Sequence, residues 1–187
     1  MSGVFLSQEQ IELISEVAGK AGAKAGLEAY EQARQKEIKA LPVRLFRNTK
    51  ELLKQYRNFK AFVKHAVYET KIEIDISEVL ADLMMPGRNA EARVKSIMES
   101  RARTATMVKH MDVALDLYKT YCFHYGTKED IRRWRVIDGL YINGDRLTVD
   151  ELAEREGVVE RTIYKDIDIA CDRLSCLVFG VDGVKWW

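Results

Sequence analysis

Apolar residues recur at intervals of three and four along most of this chain, the spacing of helices that bury one face. From Leu6 to about Lys39 the stripe is thin: Ile11, Ile14, Val17, Ala21 and Ala25, among Ala, Glu, Gln and Lys. Gly19, Gly22 and Gly26 fall inside it and lower helix propensity by about 1 kcal/mol each relative to Ala. This predicts an N-terminal helical arm that is either flexible or ordered by a partner, and a thin stripe gains most by pairing with another helix. From Arg44 to His65, Phe46, Leu53, Tyr56 and Val63 line one side of a second pattern. Tyr68 to Asp75 (YETKIEID) reads as an extended link or a helical turn, and Ser77 to Met84 as a short helix. The longest pattern runs from about Ala90 to Tyr121, with Val94, Ile97, Val108, Met111, Leu115 and Tyr118 on one face, interrupted by Arg101. A buried arginine demands a carboxylate, so Arg101 is expected to reach out at an edge or to pair with an acid from another helix. Glu129 to Ile142 adds Ile131, Trp134, Ile137 and Tyr141. Pro42 and Pro86 are expected to separate helices, Gly126 and Thr127 to end one, and Asn143 and Gly144 to mark a turn.

The densest local grammar lies between Leu147 and Ile167, LTVDELAEREGVVERTIYKDI. Thr148 stands three residues before Glu151, the capping-box spacing in which hydroxyl and carboxylate satisfy each other's free amides at a helix start. Leu152 and Ala153 face inward, Ala153 small enough for a second helix to cross closely. Gly157 supplies the positive φ of a turn made by Gly157, Val158 and Val159. Ile163, Ile167, Ala170, Cys171, Leu174 and Val178 then repeat at helical spacing. This is the arrangement of a helix-turn-helix, whose second helix enters the major groove with its first exposed residues against base edges. Here those are Glu160, Arg161, Tyr164 and Lys165. Arg161 suits a bidentate bond to guanine and Glu160 a bond from the cytosine amine, while Tyr164 and Lys165 reach bases or phosphates. Thr148, at a helix N-terminus, is a candidate phosphate contact. Val159 sits where Ser or Thr usually caps, leaving that helix start short by roughly 1 kcal/mol. An ordinary helical hairpin that binds nothing is the plain alternative.

Charge changes the picture locally, not globally. Thirty basic and 29 acidic residues give a formal net charge of +1, so no overall attraction to nucleic acid follows. Arg44 to His65, however, holds seven Lys or Arg against one Glu, and Arg47, Lys50, Lys54, Arg57, Lys60 and Lys64 recur every three or four residues. Such a stripe can follow a phosphate backbone with salt-dependent, sequence-independent affinity; a solvated face near acidic neighbours is the commoner meaning of a charge run. From Lys128 to Trp187 there are 10 basic and 13 acidic residues, a net of −3. DNA affinity of that segment then needs the upstream stripe or a second protein, or its acidic side is itself a protein-contact surface.

Other chemistry is sparse. Cys122, Cys171 and Cys176 lack CxxC spacing, which points to reduced thiols in a cytoplasmic protein. Cys122 and His124 have no second ligand pair, so neither a metal nor a cofactor is expected. No apolar run approaches the ~20 residues of a membrane span, and the N-terminus does not read as a signal peptide. No nucleophile elbow or phosphate-cradling glycine loop marks an enzyme.

Three segments carry a resemblance to a known family: LPVRLFRNTKELLKQYRNFK, SIMESRARTATMVKHMDVALDLYK, and WRVIDGLYINGDRLTVDELAEREGVVERTIYKDIDIACDRL followed by LVFGVDG. In order and spacing they resemble the RinA and ArpU group of phage-encoded transcriptional regulators, whose C-terminal part looks like region 4 of bacterial sigma factors. The resemblance spans most of Leu41 to Gly183. It implies activation of phage genes, often late ones, by binding double-stranded promoter DNA in the bacterial host cytoplasm, with host RNA polymerase as a second candidate partner. It also puts Glu160, Arg161, Tyr164 and Lys165 on the DNA-reading face. A small terminase subunit, which recognises phage DNA for packaging, also joins a helix-turn-helix to oligomerising helices, but usually places it at the N-terminus. A helical factor acting on polymerase without touching DNA is the third reading.

The expected architecture is all-α: an arm (1–41), able to mediate homo-oligomerisation; a helical body with the basic stripe (42–126); and a C-terminal helix-turn-helix module of sigma-region-4 type (127–187).

Overall fold

A computed structural model describes residues 7–64, 74–87 and 89–180. Every regular element among them is helical: α1 (Gln8–Lys64), α2 (Ile76–Met84), α3 (Ala90–Met98), α4 (Arg101–His124), α5 (Lys128–Ile137), a π-helical turn (Asp138–Ile142), α6 (Val149–Glu156) and α7 (Glu160–Phe179). The chain divides into two units, residues 1–40 and 41–187. In the first, every described residue is exposed. All the buried residues belong to the second.

That second unit is assembled around one core. From α1 come Leu45, Leu52, Leu53, Tyr56 and Phe59; from α4, Met107, Met111, Leu115 and Tyr118; from α7, Ile163, Ile167, Leu174 and Val178. The three helices meet where Leu52, Leu53, Met111, Leu115, Leu174 and Val178 surround a small interior space. Each such side chain contributes about 1.5–3 kcal/mol by leaving water. α7 also packs on α5 and α6, while α2 and α3 pack on α4. Polar groups join the apolar ones at the seams. Asn48 Nδ2 donates to the Leu83 carbonyl, Thr49 Oγ1 to the Leu45 carbonyl at 3.0 Å, and Tyr56 OH to Asp112. Burial and that carboxylate together push the Tyr56 phenol up to about 12.

Two sequence expectations are corrected. Pro42 does not separate helices; α1 runs through it. A proline inside a helix forfeits one backbone hydrogen bond and crowds the preceding turn. Packing can override that cost, and the core residues of α1 begin three positions later at Leu45. Ala90 to Tyr121 is not one helix either. It breaks at Glu99 and Ser100, where Ser100 turns extended (φ −126°, ψ 120°) and its hydroxyl accepts from the Arg103 amide. Thr104 reinforces the corner by donating to the Ile97 and Ser100 carbonyls. Arg101 thereby becomes the first residue of α4 and leaves the apolar face; it is exposed, its guanidinium 5.6 Å from the centre of the Phe62 ring. Of the segment from Tyr68 to Asp75, only Ile74 and Asp75 lie within the described residues, and the C-terminal Trp186 and Trp187 lie outside them. Asp75 caps α2 by accepting from the Ser77 amide.

Tight joints fix the C-terminal helices. Thr127 and Asp130 form a capping box at α5, a signal of the type recognised at Thr148. At Gly126 an added Cβ would lie 2.6 Å from the Cys122 carbonyl oxygen and 2.8 Å from the Asp130 Cβ. Both are atoms that cannot swing away. Gly126→Ala is therefore expected to destabilise the protein by roughly 2 kcal/mol, read as a lowered denaturant midpoint with unchanged slope; wild-type stability would show that the α4–α5 corner yields.

Candidate nucleic-acid interface

The local rules written into Leu147 to Ile167 produce the geometry they predict. Thr148 caps α6 while the Glu151 carboxylate accepts from the Thr148 amide at 2.7 Å and hydroxyl at 3.0 Å. These amide and hydroxyl bonds hold the Glu151 carboxyl below its ordinary range. Gly157 takes the left-handed conformation (φ 65°, ψ 37°) at the end of α6. Val159 then starts α7 with no side-chain cap. Leu152 and Ala153 of α6 are buried, as are Ile163, Ile167, Ala170, Cys171, Leu174 and Val178 of α7. Burial pushes the Cys171 thiol up to about 12, so it behaves as packing rather than as a nucleophile.

On the opposite side of α7, Glu160, Arg161, Tyr164 and Lys165 are all exposed within its first two turns. None makes a side-chain ion pair or hydrogen bond among the described residues. Four groups with different chemistry thus share one free face: a guanidinium fork, an ammonium, a phenol and a carboxylate. The uncapped α7 start adds free amides and the positive end of the helix dipole.

The other proposed contacts fare differently. Thr148 is already committed, its hydroxyl both accepting from the Glu151 amide and donating to the Glu151 carboxylate. Along α1, Lys50 pairs with Asp168 of α7 at 3.1 Å, Lys54 with Glu51 at 3.2 Å, and Lys60 with Asp112 at 3.1 Å. Arg57 is half-buried and donates through Nη2 to the Gly139 carbonyl at 3.1 Å; burial first, then the neighbouring Arg146, lower its pKa. Only Arg47 and Lys64 of the six are exposed and without an ion pair among the described residues. The stripe thus mostly joins α1 to its own surroundings.

Sequence reading missed what holds α7 in place. Asp166 sits on the inward face, between Ile163 and Ile167, with 2% of its surface exposed. It accepts from Arg132 Nε at 2.7 Å and from Arg133 Nε at 3.3 Å. Arg133 also pairs with Asp130, as does Arg173 of α7. Asp130, 3% exposed, additionally accepts from the Thr127 amide at 2.9 Å. Burial alone would raise its pKa, but the Thr127 amide and the Arg173 and Arg133 donors outweigh it and hold the carboxyl at about 2. Five charged side chains thereby lock α7 onto α5. The signal was present: an acid falling on an apolar helix face demands buried cations.

The turn before α6 is likewise shaped by close approach. A Cβ on Gly139, in the π-helical turn, would lie 3.1 Å from Leu147 and 3.2 Å from Leu152. Its carbonyl accepts both Arg57 and the Leu147 amide. No family model, no curated protein and no solved structure matches this chain.

Asp166→Ala is expected to cost about 3–5 kcal/mol by stranding Arg132 and taking one of its two carboxylates from Arg133, measured by chemical denaturation; a loss below ~1 kcal/mol would mean that water serves these cations equally well. Because the folded pKa of Asp130 lies below its ordinary 3.8, its contribution is fully present above pH 4 and is lost as pH falls toward 2. The shift corresponds to roughly 2 kcal/mol. Asp130→Asn should flatten the stability–pH curve across that window, and an unchanged acid limb would count against the network.

Proposed function

We propose that this protein is a sequence-specific double-stranded DNA-binding transcription regulator, in which α6, the Gly157 turn and α7 work as a helix-turn-helix of sigma-region-4 type. The observation that carries this reading is the free face of α7. Four polar side chains at its N-terminal end are exposed and unengaged, while Asp166, Asp168 and Arg173 further along α7 are held in ion pairs. A recognition helix lies in the major groove with its N-terminal residues on base edges; the Asp166–Arg132–Arg133 contacts hold α7 from behind, away from that end. The likeness of three sequence segments to RinA and ArpU regulators agrees with it and suggests a phage activator acting in a bacterial host.

In this mechanism Arg161 reads guanine through two parallel N–H donors, Glu160 accepts from a cytosine amine, and Lys165 and Tyr164 reach a base or phosphate. The α7 amides and Arg47 or Lys64 meet the backbone and fix register without reading sequence. With four of the six stripe residues engaged in ion pairs or a backbone hydrogen bond and the C-terminal segment at net −3, the phosphate contacts are few. Affinity by the protein alone is therefore modest, and host RNA polymerase bound at the same promoter supplies the rest. A second reading, a factor that binds polymerase without DNA, draws on Asp150 and Glu154, exposed acids on the outer side of α6.

Binding to a promoter fragment from the protein's own genome, compared with scrambled DNA of equal length at several salt concentrations with and without host polymerase, tests this. Selective binding in either condition is expected; selectivity in neither sinks DNA reading and favours the second role. Arg161→Ala should cost ~1–3 kcal/mol and relax preference at one base pair, whereas Arg47→Ala should weaken all sequences alike and flatten the salt slope by about one unit. Equal behaviour of the two variants refutes this division of labour.

A further inference from the structure

Asp168 stands on the reading face of α7 itself. Arg161, Tyr164, Lys165 and Asp168 follow one another at helical steps of three and four and are all exposed, so they share one side of the helix. Asp168 lies eight residues past Glu160, which is about 12 Å along the axis at about 1.5 Å per residue. A major groove is about 12 Å wide. When the first turn of α7 meets base edges, Asp168 therefore stands level with the phosphates at the rim of the groove, where a bare carboxylate would face a row of like charges.

The acid is not bare. Lys50 Nζ of α1 lies 3.1 Å from Asp168 Oδ1. Among the described residues, Lys54 finds its acid on α1 and Lys60 on α4; of the three ion-paired lysines of the stripe, Lys50 alone finds its own on α7. A second observation sets α1 beside the reading face: burial first, then Cys171, Asp168, Glu51 and Tyr164, push the phenol of Tyr141 up to about 12, which brings residues of α1 and α7 to one side chain. Lys50 is thus a cation at the groove rim, with a carboxylate where a phosphate oxygen would lie. We propose that Asp168 is an internal phosphate mimic, which holds Lys50 in the free protein and gives it up to the DNA backbone on binding. The pair suits exchange. Its side chains are 36% and 57% exposed, so salt and water reach both ions and the pair is weakly held. Asp166, two positions earlier, is buried between two arginines and cannot serve in this way. Each Lys50–phosphate contact must first displace Asp168, which lowers the affinity of the protein for any duplex. It leaves sequence preference unchanged, since phosphate contacts carry no base information. This inference rests on the DNA-reading role of α7 and adds a brake to it.

Equilibrium binding of the full chain to promoter and scrambled duplexes over a series of salt concentrations tests it, with D168N, K50A and the double variant. D168N is expected to bind both duplexes roughly fivefold tighter near physiological salt, with a log–log salt slope steeper by about 0.9, the value of one added phosphate contact. In the K50A background the same substitution should gain less than about twofold, because no lysine is released. Both side chains lie at the surface, and denaturant midpoints near that of the wild type verify folding. D168N no tighter than the wild type, an equal gain with and without Lys50, which would mark simple repulsion by Asp168, or an altered preference at one base pair, which would mark base reading by Asp168, would each overturn the proposal while leaving α7 as the DNA reader. Failure of the wild type and D168N alike to bind any duplex, with or without polymerase, would remove the DNA-reading role and this inference with it.

Discussion

Two carboxylates buried between α5 and α7 organise the part of this protein that faces its proposed target. Arg133 bridges Asp166 and Asp130, Arg132 pairs with Asp166 and Arg173 with Asp130, and the Asp130 carboxylate also closes the capping box at the head of α5. Ions taken out of water are costly unless each finds partners in good geometry, so the network tolerates only one relative placement of α5 and α7. Apolar contacts alone are less discriminating, because Ile163, Ile167 and Leu174 could slide against aliphatic neighbours at small cost. Charge pairing fixes the rotation of α7 about its own axis, and that rotation decides which residues emerge on its outer face.

The remaining joints serve the same end from other directions. α1 reaches α7 through Lys50 and Asp168, and reaches the π-helical turn through Arg57 and the Gly139 carbonyl. Pairs as exposed as Lys50–Asp168 contribute 0–1 kcal/mol, so their value here is orientation more than stability. The basic residues of α1 are thus largely spent on holding the helical unit together. On the proposed DNA-reading role, this leaves few phosphate contacts and makes assistance from a second macromolecule a natural complement.

How much of this could be read from residues alone differs from feature to feature. The start of α6, the Gly157 turn, the missing cap at Val159 and the inward face of α7 were legible because each depends on neighbours within about four positions. The break before α4 was equally local in cause, yet it was hidden. Val94, Ile97, Val108 and Met111 keep helical phase across Ser100, and periodicity does not register a corner that conserves phase. Pro42 misled in the opposite sense, since a local penalty was overridden once Leu45 and Leu52 entered the core. Lys50, Lys54 and Lys60 read as a phosphate-following stripe because Asp168, Glu51 and Asp112 were not all in view; two of those acids arrive from helices far along the chain.

The sequence by itself determined the helical class, most helix termini and much of the apolar face of the C-terminal helices, because hydrogen-bond capping and the 3.6-residue period act over short distances. Tertiary structure alone decided which charges are free and which are spent. An ion pair such as Arg132–Asp166 joins residues 34 positions apart, and its formation depends on how two helices come to lie together, which no local pattern encodes.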